Sequence, residues 1–258
     1  MSLFAATLLG IVEGITEFLP ISSTGHLILA QHLFDITSTD AVKSFDIVIQ
    51  LGAIAAALVI FWKTLLQSRR VLTLVLVAFV PTALLGALLH SAVKTYLLEP
   101  SVVAWALFLG GFIIIAFELW YKETRTAVET VEKITIGKAV LIGILQTLAV
   151  IPGTSRSAAT IIGGMALGVR RSVIVDFSFL LAIPTMAGAT ALDLYKSAGA
   201  FGSHDLLTIA VGFVTSFVAA YIAIQWLLRY VRTHSFIAFG VYRIVVAVVF
   251  WLFVLKKP

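Results

Sequence analysis

Glu13-Gly-Ile-Thr-Glu17-Phe-Leu-Pro20-Ile-Ser22-Ser23-Thr24-Gly25-His26 decides how this chain is read. Two carboxylates, three hydroxyls beside a histidine, and a backbone broken by proline and glycine stand together in apolar surroundings. A second polar break, Pro152-Gly153-Thr154-Ser155-Arg156-Ser157, interrupts an equally apolar stretch in the other half of the chain. These two breaks are read as loops that meet inside a membrane.

The apolar background is what makes the breaks informative. The chain has 258 residues, 60% of them hydrophobic and 12% charged, with a mean hydropathy of +1.08. A soluble domain carries about 25% charged residues, so the composition is that of an integral membrane protein. Val71–Leu89 and Leu206–Leu228 are charge-free runs of 19 and 23 residues, and a bilayer core needs roughly 20. The first apolar run begins almost at Met1, has no basic leader and contains Glu13 and Glu17, so no cleavable signal peptide is expected. With no cysteine, disulfides and thiolate metal sites are excluded. The net charge of +5 is assigned to basic loops and anionic headgroups, not to nucleic acid.

Taken in order, Leu3–Leu19 reads as a helix ended by Pro20, and a second short helix runs to about Leu33. Neither spans comfortably alone, and both carry polar residues at membrane depth. Such a broken pair predicts a re-entrant hairpin, which is tolerated only when buried in protein or lining a wet cavity. Phe45–Trp62, Val71–Leu89 and Val102–Trp120 read as three spans, followed by a polar connector, 121–135. The second half then repeats the plan. Its hairpin is Ile136–Ile151 with Ser155–Val169, and its spans are Val173–Leu194, Leu206–Leu228 and Phe236–Leu255.

The repetition extends to residues. Leu9-Gly10-Ile11-Val12-Glu13 is echoed by Ile142-Gly143-Ile144-Leu145-Gln146, and Pro20-Ile-Ser22-Ser23 by Pro152-Gly-Thr154-Ser155. Phe45-Asp-Ile47 aligns with Phe177-Ser-Phe179, Ala78-Phe79-Val80 with Gly212-Phe213-Val214, and Ser101–Ala104 with Ser235–Ala238, always at an offset of 132 to 134. The expected architecture is therefore an all-α integral membrane protein forming one membrane domain, 1–258. It has six transmembrane helices and two re-entrant helical hairpins, in an inverted-topology repeat of 1–120 and 136–258. Three spans per repeat is odd, so the halves lie in opposite orientations.

Lysine and arginine placement sets the direction. Lys63, Arg69, Arg70, Lys122, Arg125, Lys133, Lys138, Arg170, Arg171, Arg229 and Arg232 fall on one side, and Lys43, Lys94, Lys196, Lys256 and Lys257 on the other. The first side is then cytoplasmic. Both termini and the first loop face outward, and the second loop enters from the cytoplasm.

Glu13 and Glu17 are four apart and project from one helix face. A carboxylate at this depth is costly unless paired, metal-bound or hydrated; the bland alternative is a headgroup-level pair on a short helix. Working as a pair, the two bind a divalent cation through oxygen, or one of them acts as general acid or base. Ser22-Ser-Thr-Gly-His26 looks like a helix start, where hydroxyls and free N–H groups favour an anion. With Ser23 near the cap, His26 lies one turn on, as base for its hydroxyl or as nucleophile itself.

In the second break Gly153 permits close backbone approach, and Arg156 offers a bidentate phosphate contact. Its alternative partner is internal, Glu13 or Glu17. His32, His90, His204 and His234 read as ordinary histidines near span ends, Asp46 and Asp176 as headgroup-level caps, and Pro81 and Pro184 as kinks. Arg243 is expected to snorkel or to pair within the bundle.

Glu13-x-x-x-Glu17-Phe-Leu-Pro-Ile-Ser-Ser-Thr-Gly-His26 and Pro152-Gly-Thr-Ser-Arg-Ser157 resemble the two signature motifs of the bacterial undecaprenyl-diphosphatase, or bacitracin-resistance, family. The resemblance also covers 45–52 and 177–184; one departure is Ser157-Ala158 where Ser-Gly is common. It implies hydrolysis of undecaprenyl diphosphate to the monophosphate and inorganic phosphate, aided by Mg²⁺ or Ca²⁺, in the bacterial cytoplasmic membrane. That reaction recycles the lipid carrier for peptidoglycan and other envelope polymers. By motif position, Glu13 and Glu17 would serve metal binding or acid/base chemistry, and Ser23 or His26 would attack phosphorus. Arg156, Ser155, Ser157 and Thr160 would hold the diphosphate, with Ser22 and Thr24 beside them. The implied partners are the polyprenyl diphosphate and the bilayer, with a homodimer left open. A flippase or transporter shares the inverted-repeat plan, but needs no nucleophile such as Ser23 or His26. A purely structural role would leave the intramembrane Glu, Arg and His unexplained.

Overall fold

The computed structural model describes residues 1–37, 39–92, 99–124, 126–196 and 206–255. Its helices are α1 (Leu3–Phe18), α2 (Ser23–Leu33), α3 (Asp40–Gln67), α4 (Arg69–Ala92), α5 (Pro100–Trp120), α6 (Ile136–Gln146), α7 (Arg156–Ala166), α8 (Arg171–Lys196), α9 (Leu206–Tyr230) and α10 (Ile237–Phe250). Among the described residues there is no strand, only an isolated bridge between Val128 and Val169. Among the described residues six helices are long and apolar enough to cross a membrane: α3, α4, α5, α8, α9, and α10 with its continuation to Val254.

Ser2 caps α1 by accepting from the Ala5 amide, and the chain turns extended at Leu19, ahead of Pro20. In the second half, α6 ends at Gln146 in a 3₁₀ turn, Thr147–Val150, before α7 begins. The spans run longer than their apolar cores suggest. α3 starts at Asp40, capped by Thr39, and continues to Gln67, because helix formation does not stop where the first charged residue appears. α10 closes in a π-helical turn, Trp251–Leu255. Pro81 and Pro184 lie inside α4 and α8. Lys94, Arg125, His204, Lys256 and Lys257, which entered the charge and histidine readings, lie outside the described residues, as do the side chains of His90 and Lys196.

Small residues set the closest contacts. α1 lies along α9 in parallel, with Gly10 against Gly212 and Thr215, and Gly14 against Ser216, Ala219 and Ala220. A Gly-x-x-x-Gly face of this kind lets backbones approach where no hydrophobic effect drives helices together. α6 runs beside α4 in the same manner: Gly143 fits against Ala78, and the Thr82 hydroxyl donates to the Gly143 carbonyl at 3.0 Å. α3 packs on α8 and α9, and α10 on α5. The core within this frame holds Phe18, Phe177 and Phe179, with Phe18 edge-on to Phe179.

The connector is tied down at one end of the bundle. Arg170 pairs with Glu123 and Glu129, and Arg171 pairs with the buried Glu118 at 2.7 Å. Glu118 also accepts from the Phe236 amide, joining α5 to the start of α10.

Candidate active site

Both polar breaks use the same unusual backbone. Ser22, capping α2, has φ 71° and ψ 100°, and Ser155, capping α7, has φ 73° and ψ 116°. For a residue with a Cβ this left-handed geometry costs energy and persists only when its surroundings enforce it. Here the enforcement comes from contacts between the two loops. The Ser155 hydroxyl accepts from the Ala158 amide and lies 3.0 Å from the Ser157 hydroxyl, which donates at 2.8 Å to the carbonyl of Leu19 in the first break. The two loops therefore meet.

Arg243 completes the junction. It is fully buried, and its guanidinium donates to the carbonyls of Pro20, Gly153 and Thr154, and to those of Ala106 and Leu107 on α5. Gly110 makes the room, since a methyl group there would overlap the guanidinium. Arg243 thus pairs within the bundle and does not snorkel. Three of its partners, the carbonyls of Pro20, Gly153 and Thr154, lie in the helix breaks, where no helix supplies a donor.

Glu17 is the centre of the side-chain cluster. One carboxylate oxygen accepts from the Ser23 hydroxyl, and the other lies 3.2 Å from the Arg156 guanidinium. Arg156 also donates to the Ser178 carbonyl at 3.1 Å, contacts the Met186 sulfur, and lies 5.5 Å from the centroid of the Phe18 ring. Of the two internal partners weighed for Arg156, the structure places Glu17 in contact. Glu13, one turn back on α1, is buried, and neither of its oxygens has a hydrogen-bond partner. The Arg156 Nε and the Ser178 hydroxyl nearby are likewise buried without partners.

The expectation that His26 serves Ser23 as base is not what the geometry shows. The cap is Ser22 rather than Ser23, so His26 lies four residues on and its Nδ1 donates to the Ser22 carbonyl at 2.7 Å. Its Nε2 lies 2.9 Å from the Tyr242 hydroxyl on α10, while the hydroxyl of Ser23 is on Glu17. Thr160 is also placed elsewhere than expected: it donates toward the side chain of Gln146 and the carbonyl of Arg156. Gln146, at the repeat position of Glu13, is fully buried and donates to Thr82 and Thr185. It forms a satisfied neutral knot where Glu13 has unpartnered oxygens. Thr24 is exposed.

Asp46 is not a cap. It lies within α3, where the Gln31 amide reaches both its oxygens at 2.9 and 3.0 Å. Asp176 likewise lies inside α8. An apolar groove of about 690 Å³ runs between α1 and α9, lined by Ile11, Ile15, Val218 and Ile222 among others. Ile11 and Ile15 are offset by two residues from Glu13 and Glu17, about 200° around the helix, so this groove faces away from the cluster.

Among the described residues no group of three or more His, Cys, Asp or Glu is arranged to hold a metal ion. The Glu13–Glu17 pair still fits a hard divalent cation of the Mg²⁺ type, which takes one or two carboxylates and completes its shell with water and phosphate oxygens. The two unpartnered oxygens of Glu13 are the observation behind that fit.

A sequence profile described as "Bacitracin resistance protein BacA" matches residues 6–249. The chain belongs to this family. It is 44% identical over 252 residues to a protein of Sulfurihydrogenibium sp. (strain YO3AOP1) named undecaprenyl-diphosphatase, covering 98% of this chain and 99% of that one. A protein of the same name from Aquifex aeolicus (strain VF5) is 46% identical over 256 residues, covering 99% and 100%. Another, from Albidiferax ferrireducens (strain ATCC BAA-621 / DSM 15236 / T118), is 48% identical over 259 residues, covering 96% and 93%. In this family member, Tyr242 is the site residue that sequence reasoning missed, while Arg243 was singled out as snorkelling or pairing within the bundle but was not placed at the site. Leaving buried carbonyls without their donor typically costs on the order of 1–3 kcal/mol each. Arg243→Met is therefore expected to lower stability by at least about that amount, read as a fall in melting temperature in detergent. An unchanged melting temperature would contradict the junction described here.

Proposed function

We propose that this protein hydrolyses undecaprenyl diphosphate to undecaprenyl phosphate and inorganic phosphate, with Ser23 as nucleophile and Glu17 as its base. Relatives bearing the name undecaprenyl-diphosphatase along their whole length support the reaction. The observation that carries the assignment of roles is the Ser23 hydroxyl donating to Glu17, whose other oxygen is held by Arg156. A hydroxyl is a weak nucleophile until an adjacent base takes its proton, and Glu17 is the base within reach.

In this reading the Ser23 oxygen attacks the terminal phosphorus as its proton passes to Glu17. The phosphoanhydride P–O bond breaks, and undecaprenyl phosphate leaves with that proton. Glu17 then takes a proton from the water that attacks the phosphoserine, and the Ser23 oxygen regains a proton as inorganic phosphate departs. Phosphoryl transfer needs little from the protein beyond positioning and charge stabilisation. Arg156 supplies the guanidinium, and the first turns of α2 and α7 supply backbone N–H donors with the positive ends of two helix dipoles. Ser155 and Ser157 hold the second loop in register, Ser22 shapes the first, and Thr24 stands exposed beside it. His26, whose two ring nitrogens meet the Ser22 carbonyl and the Tyr242 hydroxyl, is not the attacking group. Glu13 and Glu17 would hold Mg²⁺ or Ca²⁺, which when bound neutralises phosphate charge that two bare carboxylates would repel.

The two halves form an inverted repeat, each with a re-entrant hairpin. The parallel pairings α1 with α9 and α6 with α4, and the matching backbone at Ser22 and Ser155, support this reading. The protein lies in the bacterial cytoplasmic membrane with both termini outside and the polar connector in the cytoplasm, as the concentration of Arg70, Arg170, Arg171 and Lys138 at the connector end favours. There it recycles the lipid carrier for peptidoglycan synthesis, which is how it confers bacitracin resistance.

Ser23→Ala and Glu17→Gln are each expected to reduce phosphate release by about 100-fold or more while the folded protein still inserts. Near-wild-type turnover of both would remove this assignment. Chelation by EDTA is expected to abolish release, and added Mg²⁺ or Ca²⁺ to restore it; release indifferent to EDTA would take the metal role from Glu13 and Glu17. Because the native chain has no cysteine, orientation is open to labelling. Cysteine at Thr37 is expected to react with an impermeant thiol reagent from the outer face, and cysteine at Thr126 only after the cytoplasmic face is opened. The reverse pattern would invert the topology.

A further inference from the structure

Asp46 is a carboxylate outside both polar breaks, and the reaction described above gives it no part. It stands on α3, which shares a small core with α1 and α2 made of Ala6, Leu9, Leu27, Phe45 and Ile49. The Gln31 amide nitrogen on α2 holds both of its oxygens, at 2.9 and 3.0 Å. Its charge acts on Glu13 more strongly than the Arg156 guanidinium does. Glu13 is 1% exposed, and neither of its oxygens has a hydrogen-bond partner. With all three ionised, Glu13, Glu17 and Asp46 gather three negative charges around the Arg156 guanidinium, which pairs with Glu17. Arg243 is engaged with main-chain carbonyls. Buried charge of one sign is costly unless a counter-charge joins it, and a divalent cation brings this group to neutrality. The sequence echoes of Glu13 and Asp46 are Gln146 and Ser178, both neutral.

We propose that Asp46, held by Gln31, is an outer binding residue for the divalent cation of this site, engaging the ion through its bound water while Glu13 and Glu17 coordinate it. The proposal rests on the reading of Glu13 and Glu17 as cation ligands. Direct coordination by all three carboxylates is not the arrangement, since no group of three such side chains among the described residues is placed to hold an ion. An ion of the Mg²⁺ type loses water reluctantly and keeps several water ligands when one or two carboxylates bind it. Those waters need acceptors. A carboxylate has about four lone-pair sites, so one amide group leaves most of those on Asp46 free. Outer partners of this kind are commonly worth about 10- to 100-fold in metal affinity.

The test uses Mn²⁺ as the probe, followed by the electron paramagnetic resonance of the free ion, with the full-length protein in detergent and no substrate. The native protein is expected to bind Mn²⁺, and Glu13→Gln to lose that binding. Asp46→Asn keeps an acceptor for Gln31 and removes the charge; it is expected to weaken Mn²⁺ binding by about tenfold or more. Its melting temperature in EDTA is expected not to fall, whereas loss of a merely structural tie between α2 and α3 would lower it. Gln31→Leu leaves every carboxylate in place and releases only the clamp, so a smaller loss of affinity is expected; this variant decides if Asp46→Asn does not fold. Native affinity in the deciding variant would overturn the proposal. So would weakened binding in Asp46→Asn matched by a lower melting temperature in EDTA. If the native protein binds no Mn²⁺, or Glu13→Gln binds it as tightly, the cation reading of the glutamates falls and takes this proposal with it.

Discussion

A helix broken inside a membrane leaves carbonyls without donors and with no bulk water to supply them. In this protein one side chain answers much of that demand: the Arg243 guanidinium, buried without a carboxylate, gathers carbonyls from both breaks and from α5. A buried cation and several buried dipoles that would each be costly alone become mutually satisfied. The loops then stand in register, Ser157 reaches the Leu19 carbonyl, and two serines adopt a backbone that serine otherwise avoids.

The chemistry depends on that register. Glu17 comes from the end of α1 and Arg156 from the start of α7, 139 residues apart in sequence, yet they share an ion pair whose second oxygen engages Ser23. Low polarity around the pair strengthens every such contact, and equally penalises any charge left over. Glu13 is the residue where that tension shows, with two buried oxygens and no donor, beside Glu17 and within electrostatic reach of Asp46 and Arg156. Its repeat counterpart Gln146 is satisfied by threonines on all sides. Of these two buried positions, one carries an unpaired carboxylate and the other a fully bonded neutral amide.

Much of this was legible in the sequence. Charge-free runs such as Leu206–Leu228 gave the spans, because length and apolarity are what a bilayer demands. The polar breaks stood out because glutamate, histidine and arginine are expensive at such depth. The Gly10 and Gly143 echo is the sequence signal behind the proposed repeat. What stayed hidden was decided by partners the sequence does not display. Arg243 binds main-chain carbonyls, which every residue has. The hydroxyl of Thr160 reads like a phosphate ligand beside Arg156, but Gln146 lies nearer. The sequence does not display that the Ser22 carbonyl and the Tyr242 hydroxyl take the two ring nitrogens of His26. Helix ends were missed at α3 because Lys43 and Lys63 look like boundaries in a hydropathy reading, whereas a helix continues through them.

The central claim is that Ser23, activated by Glu17, forms the covalent bond to phosphorus. The most direct measurement is to mix the protein with undecaprenyl diphosphate labelled in its terminal phosphate, quench in neutral denaturant within one turnover, and locate the label by peptide mass spectrometry. The account predicts an acid-stable phosphoserine at Ser23, absent in Glu17→Gln. Label on His26, or a full turnover in which no phosphoprotein forms at all, would contradict it.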